Sequence, residues 1–289
     1  VSFKKWEGKR SAAQITEVKV LNEHGAKALG KPMGSYLTLE ADKLLMPDED
    51  FHSEVSDELA LLLKGLLKQK TGKNILVAGL GNQSVTPDSL GPRTVSNLCV
   101  SAEGLKAIAP GVMAQTGMET ARILLGIIKE VQPDLVIAID ALAARSIRRL
   151  GTTIQVTDTG IHPGSGVGNH RHGLTRESLG VPVIAIGVPT VVGTAAIVHD
   201  TVSVLIQTLL EHAQTREIGG FLDQLDSDEQ YRLICELLEP EFGQMYVTPP
   251  DIDQTIKAIS YTISEAIHMA FFGGVKKDKR NDAAGKKCR

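Results

Sequence analysis

Cysteine is scarce in this 289-residue chain, and its placement excludes whole classes of chemistry. Cys99, Cys235 and Cys288 are the only three, they stand far apart, and no C-x-x-C pair occurs. Neither a zinc knuckle nor a disulfide framework is indicated, and a reducing cytoplasm is the expected setting. Long hydrophobic runs are missing as well. No stretch approaches the ~20 apolar residues of a membrane span, and no signal-peptide core stands near the N-terminus. There is no excess of positive charge: Lys and Arg total 31 against 34 Asp and Glu, a net charge of −3. That balance gives no global field to hold nucleic acid or an anionic membrane. Basic residues gather most densely at the end, where 275–289 reads as a solubilising, unstructured tail.

Several catalytic and cofactor motifs are also absent or broken. No G-x-x-x-x-G-K-[ST] loop occurs. Gly79-x-Gly81 follows an apolar run, but Ser84 takes the place of the third glycine in a dinucleotide fingerprint. Ser165 lies between Gly164 and Gly166, whereas a nucleophile elbow needs glycines where Pro163 and Val167 stand. Asp158-Thr159-Gly160 matches a pepsin-type triplet, yet it occurs once, in a chain that is not all-β, and reads as a turn.

What is present is an ordinary globular composition, 42% hydrophobic and 22% charged, with a clear α/β rhythm. Residues 1–13 read as a polar lead-in, and 15–21 and 36–39 alternate as strands. Ser56 is the expected cap of a helix running to about Lys70. Residues 74–80, 134–140 and 181–188 are short apolar runs expected as buried strands, and 152–157 alternates as an edge or antiparallel strand. Thr116 with Glu119, and Ser227 with Gln230, look like capping boxes. A long helix is expected over 194–212, and Thr248-Pro249-Pro250-Asp251 should open another, with Ile252, Ile256, Ile259, Ile263 and Ile267 on one stripe. The expectation is one α/β domain over 1–274, with a mostly parallel central sheet and helices on both faces.

Three polar, glycine-rich segments, 79–92, 140–145 and 158–170, follow directly after strands. Open α/β sheets place their sites at the carboxyl ends of parallel strands. Asp140 ends an otherwise aliphatic strand and either caps the next turn or faces a cleft. Asp88 stands in a Pro-Asp-Ser-Leu-Gly stretch that suits a turn, a helix start or a site. If both carboxylates reach one cleft, their repulsion raises one pKa and a proton is shared. Such a pair can activate water and protonate a leaving amide nitrogen. Alternatively, two carboxylates and His162 hold a hard or borderline metal ion, with His170 and His172 nearby.

Six stretches carry a further signal: 79–92 from Gly79-Leu80-Gly81-Asn82 to Pro92, Ala109-Pro110-Gly111-Val112-Met113, 138–146, 158–169, 182–192 and Met245-Tyr246-Val247-Thr248-Pro249. Together they resemble the germination protease family of spore-forming bacteria, over most of the chain. The resemblance implies an endopeptidase that degrades small acid-soluble spore proteins, related to the hydrogenase maturation proteases. It also implies a homotetramer made as a zymogen, acting in the spore core without a cofactor and without direct contact with nucleic acid or membrane. It implies an atypical aspartic mechanism, whose paired residues fall on Asp88 in Val85-Thr86-Pro87-Asp88 and Asp140 in Ile139-Asp140-Ala141. Arg145, His162, Gly164, Ser165, Gly166 and Asn169 are then expected to line the cleft and bind substrate, Arg145 orienting a carboxylate through charge-assisted hydrogen bonds. A non-catalytic member that binds spore proteins is the reading from a different class.

Overall fold

A computed structural model describes residues 1–46, 48–67, 74–100, 104–164, 172–212 and 214–272. The chain begins with β1 (Ser2–Glu7), β2 (Gln14–Val20), α1 (Glu23–Leu29), β3 (Gly34–Glu40) and α2 (Glu49–Leu66). Then come β4 (Ile75–Gly79), α3 (Leu90–Asn97), β5 (Leu105–Ile108), α4 (Met113–Thr116), α5 (Thr120–Val131) and β6 (Leu135–Ala144). The remainder is β7 (Thr153–Thr157), α6 (Arg176–Leu179), β8 (Val183–Gly193), α7 (Thr194–Glu211), α8 (Arg216–Leu222), α9 (Ser227–Phe242), β9 (Tyr246–Val247) and α10 (Ile252–Phe271).

These strands form one mixed sheet in the order β1-β2-β3-β7-β8-β6-β4-β5, with β9 added to β8. The strands β5, β4, β6 and β8 run parallel to one another, the arrangement that the continuous hydrophobicity of β4, β6 and β8 predicts. Beyond β8 the pairing through β7, β3, β2 and β1 is antiparallel. The segment expected only as a polar lead-in is therefore largely the edge strand β1. Its Lys4 and Lys5 are exposed, as suits an edge that must not recruit further strands.

Strand alternation divides the core between two layers. Ile75 and Val77 of β4, and Ile137 and Ile139 of β6, pack with Leu59 and Leu63 of α2 and Ile256, Ile259 and Ile263 of α10. Leu76, Ala78, Val136 and Ala138 face the other way, onto Leu124 and Ile128 of α5 and Leu179 of α6. Asp140 shares the parity of Val136 and Ala138, so it leaves the strand on the α5 side. The isoleucine stripe of α10 is buried throughout, and burying each such side chain contributes about 1.5–3 kcal/mol relative to exposure.

Three helix starts differ from their sequence reading, each for a local reason. Asp48, not Ser56, caps α2 by accepting from the Phe51 N–H. Ser56 is a buried interior residue whose hydroxyl donates to the carbonyls of His52 and Thr262. In α9 the box is Asp226 with Glu229, one residue upstream of the expected pair. Glu119 precedes α5 without making a side-chain cap, because its carboxylate is held by His172.

Beyond Leu142 the β6·β8 register shifts: Leu142 pairs with Pro189 and Ala143 with Val191. The bulge tolerates a proline that a regular central strand would not. It leaves the Thr190 carbonyl to accept from the Thr248 hydroxyl at 2.8 Å. That bond ties the start of the C-terminal segment to the carboxyl end of the sheet, where the site lies.

Candidate active site

A cleft of about 1160 Å³ opens at the carboxyl ends of the parallel strands. Asp88 and Asp140 both line it, together with Arg145, His162 and Gly164. Ser165, Gly166 and Asn169, expected beside them, lie outside the described residues, as does His170.

Asp88 is presented by the turn that follows β4. Pro87 presets the short 3₁₀ turn at 86–88, and the Asp88 N–H donates to the Val85 carbonyl at 2.9 Å. The carboxylate Oδ2 then accepts the backbone N–H of Asn82 at 2.6 Å, a charge-assisted bond that closes the loop on itself. This closure needs Gly81, whose φ of 112° is a conformation side chains disfavour. A Cβ there would also lie 3.0 Å from Asp88 Oδ1.

Asp140 is 6% exposed at the point where β6 stops being covered on its α5 side. Its Oδ1 accepts the N–H of Ala141 at 3.0 Å. The two aspartates are brought to one place by backbone contacts between their elements. Leu80 N–H donates to the Ile139 carbonyl at 2.8 Å, directly before Asp140, and the Asp88 turn packs against β6 and β8. Asp88 and Asp140 thus both line one cleft, and each also accepts a backbone N–H of its own segment, as a turn or cap residue does.

The rim is built from the 158–164 segment and its return at 172–174. Ile161 and Leu174 form an isolated antiparallel bridge, and the exposed His162 ring covers the place where a Gly173 side chain would stand. Glu119 Oε1 accepts both the His172 N–H at 3.0 Å and Nδ1 at 2.6 Å. Those bonds, the backbone one foremost, hold the Glu119 carboxyl below the usual carboxylate range. Among the described residues, no group of three or more His, Cys, Asp or Glu side chains is placed to hold a metal ion. Asp88, Asp140 and His162 therefore do not form the ligand set considered from sequence.

Several cleft residues had no sequence signal. Lys31 follows α1, and Arg149 lies beyond β6; both reach the cleft with the exposed Arg145. Their positions follow from the antiparallel pairing of β3 with β7, which no local pattern encodes. Tyr246 and Thr248 arrive from the C-terminal segment. Burial, aided by the nearby charge of Glu239, raises the Tyr246 phenol above its usual range, so it is a neutral hydroxyl at physiological pH.

A model of the germination protease family matches residues 2–214. The germination protease of Caldanaerobacter subterraneus subsp. tengcongensis is 46% identical over 283 residues, covering 93% of this chain and 87% of that protein. That of Bacillus subtilis is 38% identical over 316 residues, covering 92% and 85%. Among solved structures, a [NiFe] hydrogenase maturation protease from Thermococcus kodakarensis aligns at 23% identity and a TM-score of 0.34, over 45% of this chain and 80% of that one. The hydrogenase maturating endopeptidase HybD from E. coli aligns at 15% identity and a TM-score of 0.27, over 62% and 99%.

Proposed function

The chain belongs to the germination protease family and is a peptidase of that family, and from that premise we propose that it is an endopeptidase of small acid-soluble spore proteins using Asp88 and Asp140 as a catalytic pair. The observation that carries this reading is the convergence of the two carboxylates on one cleft at the carboxyl end of the sheet.

In this mechanism two nearby carboxylates share one proton, because both cannot be ionised cheaply at short range. The ionised member takes a proton from water as the water oxygen bonds to the scissile carbonyl carbon. The protonated member gives its proton to the carbonyl oxygen, forming a neutral tetrahedral diol. Collapse of that diol breaks the C–N bond as a proton passes to the leaving nitrogen, leaving a carboxyl and an amine and one proton on the pair. Arg145 and Lys31, with Arg149, whose guanidinium also pairs with Glu40 at 3.7 Å, offer positive charge along the same cleft to a carboxylate of the substrate. His162 and Gly164 line the rim, with Ser165, Gly166 and Asn169 proposed to continue it.

The test is the turnover of Asp88→Asn and Asp140→Asn on a purified small acid-soluble spore protein. Each is expected to lose roughly 10²–10⁴-fold in kcat, the range for removing a general acid or base. Retention of wild-type turnover by either variant contradicts the pair.

The same reading takes the chain to be a homotetramer made as a zymogen and working in the spore core. Exposed apolar side chains on two helices support self-association: Val204 and Leu205 of α7, and Leu233, Leu237 and Phe242 of α9. Leu233 and Leu237, four residues apart, share one stripe. Sedimentation of the wild type beside Leu237→Lys is the check, with dissociation of the variant expected and an unchanged mass contradicting this face.

A further inference from the structure

The Asp88 turn is connected to β5 through two side chains that the proposed chemistry does not use. Asn82 donates its backbone N–H to Asp88 Oδ2, while its side-chain Oδ1 accepts two donors: the Ser84 N–H at 3.0 Å and Gln115 Nε2 at 2.7 Å. The Gln115 carboxamide is itself oriented, because its Oε1 accepts the Val112 N–H at 3.3 Å. Asn82 therefore has its main chain committed to Asp88 and its side chain committed to α4, the short helix after β5. Val85 N–H also donates to the Asn82 carbonyl at 3.1 Å, Asp88 N–H to the Val85 carbonyl and Ser89 N–H to the Thr86 carbonyl, bonds that lie within the turn. Gln115 Nε2 is the side-chain donor that reaches Asn82 from another element.

We propose that Gln115 is a positioning residue: acting through Asn82, it sets the orientation of the Asp88 carboxylate in the cleft. The inference rests on the protease reading and deepens it. Gln115 is an exposed residue beside the cleft-lining Val112, so its bond to Asn82 contributes little to global stability. Its effect falls on geometry, to which catalysis responds steeply: about 1 Å of misplacement costs on the order of a hundredfold in rate. With Arg145, Lys31 and Arg149 holding the substrate, as proposed above, the change appears in kcat and not in KM.

The experiment compares wild type, Gln115→Ala, Asn82→Ala and the double variant by steady-state cleavage of a small acid-soluble spore protein. Amide hydrogen exchange over 81–90 is followed in the same samples. Gln115→Ala is expected to lower kcat roughly tenfold to a hundredfold with KM and melting temperature unchanged. The double variant should be no slower than Asn82→Ala alone, since both act through one contact. Exchange over 81–90 should accelerate in Gln115→Ala while that of β4 stays as in wild type. Unchanged exchange in that segment overturns the proposal whether or not the protein cleaves anything, and additive losses in the double variant overturn the route through Asn82. If wild type cleaves no spore protein but the exchange difference is present, the protease reading fails and the positioning contact stands.

Discussion

Gly91 approaches Ile139 so closely that a Cβ at position 91 would lie 2.6 Å from the Ile139 carbonyl oxygen. Gly91 is the second residue of α3, three residues after Asp88, and Ile139 precedes Asp140 directly. The contact therefore sets the spacing between the two carboxylate-bearing elements. It also presses the start of α3 onto the ends of β4 and β6.

Replacing Gly91 by alanine must push α3 away from both strand ends, since the obstructing atoms are backbone. Overpacking of this kind costs about 1–3 kcal/mol. Denaturant unfolding of Gly91→Ala should show that loss, and turnover should fall further than the loss of folded protein explains. Wild-type turnover from the folded fraction would contradict the spacing role.

His268 ties stability to pH. It is buried on α10, its Nε2 accepts the Cys99 N–H at 3.1 Å, and burial lowers its pKa. The unfolded chain takes up a proton near the ordinary histidine value of about 6.5, while the folded protein resists until lower pH. The contribution of neutral His268 is therefore complete above that value and is lost as pH falls toward the lowered folded pKa. Urea midpoints at pH 7.5 and 5.5 should differ more in wild type than in His268→Gln. An equal pH dependence in the two proteins would contradict this account.

Glu119 predicts the opposite partner behaviour at the cleft rim. Its carboxyl is held low by His172, so the bond persists below the ordinary glutamate pKa of about 4.3 and is lost as pH falls through the lowered value. In Glu119→Ala, amide exchange at His172 should quicken at neutral pH, with the bridge between Ile161 and Leu174 loosened as well. Unchanged exchange at His172 would show that another group holds the rim.

Asp48 offers a test of a helix start. Asp48→Ala should cost about 1 kcal/mol, the usual worth of an N-cap, measured by thermal unfolding. No change would mean that α2 starts without it.

How far the sequence carries the reader differs by element. The strands β4, β6 and β8, with α7 and α10, were legible because their hydrophobic patterns are long, whereas the four-residue β5, with Lys106 exposed, gave no such pattern. The two aspartates were legible as candidates because each stands in a polar segment after an apolar run, although Asp140 lies within β6, which continues to Ala144, and not at its end. The start of α2 was not, because the buried Ser56 has the composition of a cap but bonds to carbonyls from the helix interior. The strand β1 was hidden by its charge, which is what an exposed edge requires. Lys31, Arg149 and the Gln115–Asn82 contact depend on pairings between distant segments, and no local pattern reports those.

The most direct test of the central claim is cleavage of a purified small acid-soluble spore protein, read by mass spectrometry. Wild type, Asp88→Asn and Asp140→Asn are run with and without chelator. The aspartate pair predicts discrete fragments from wild type alone, identical in the presence of chelator. Intact substrate in every folded sample, fragments from both variants, or loss of wild-type cleavage on chelation would contradict it.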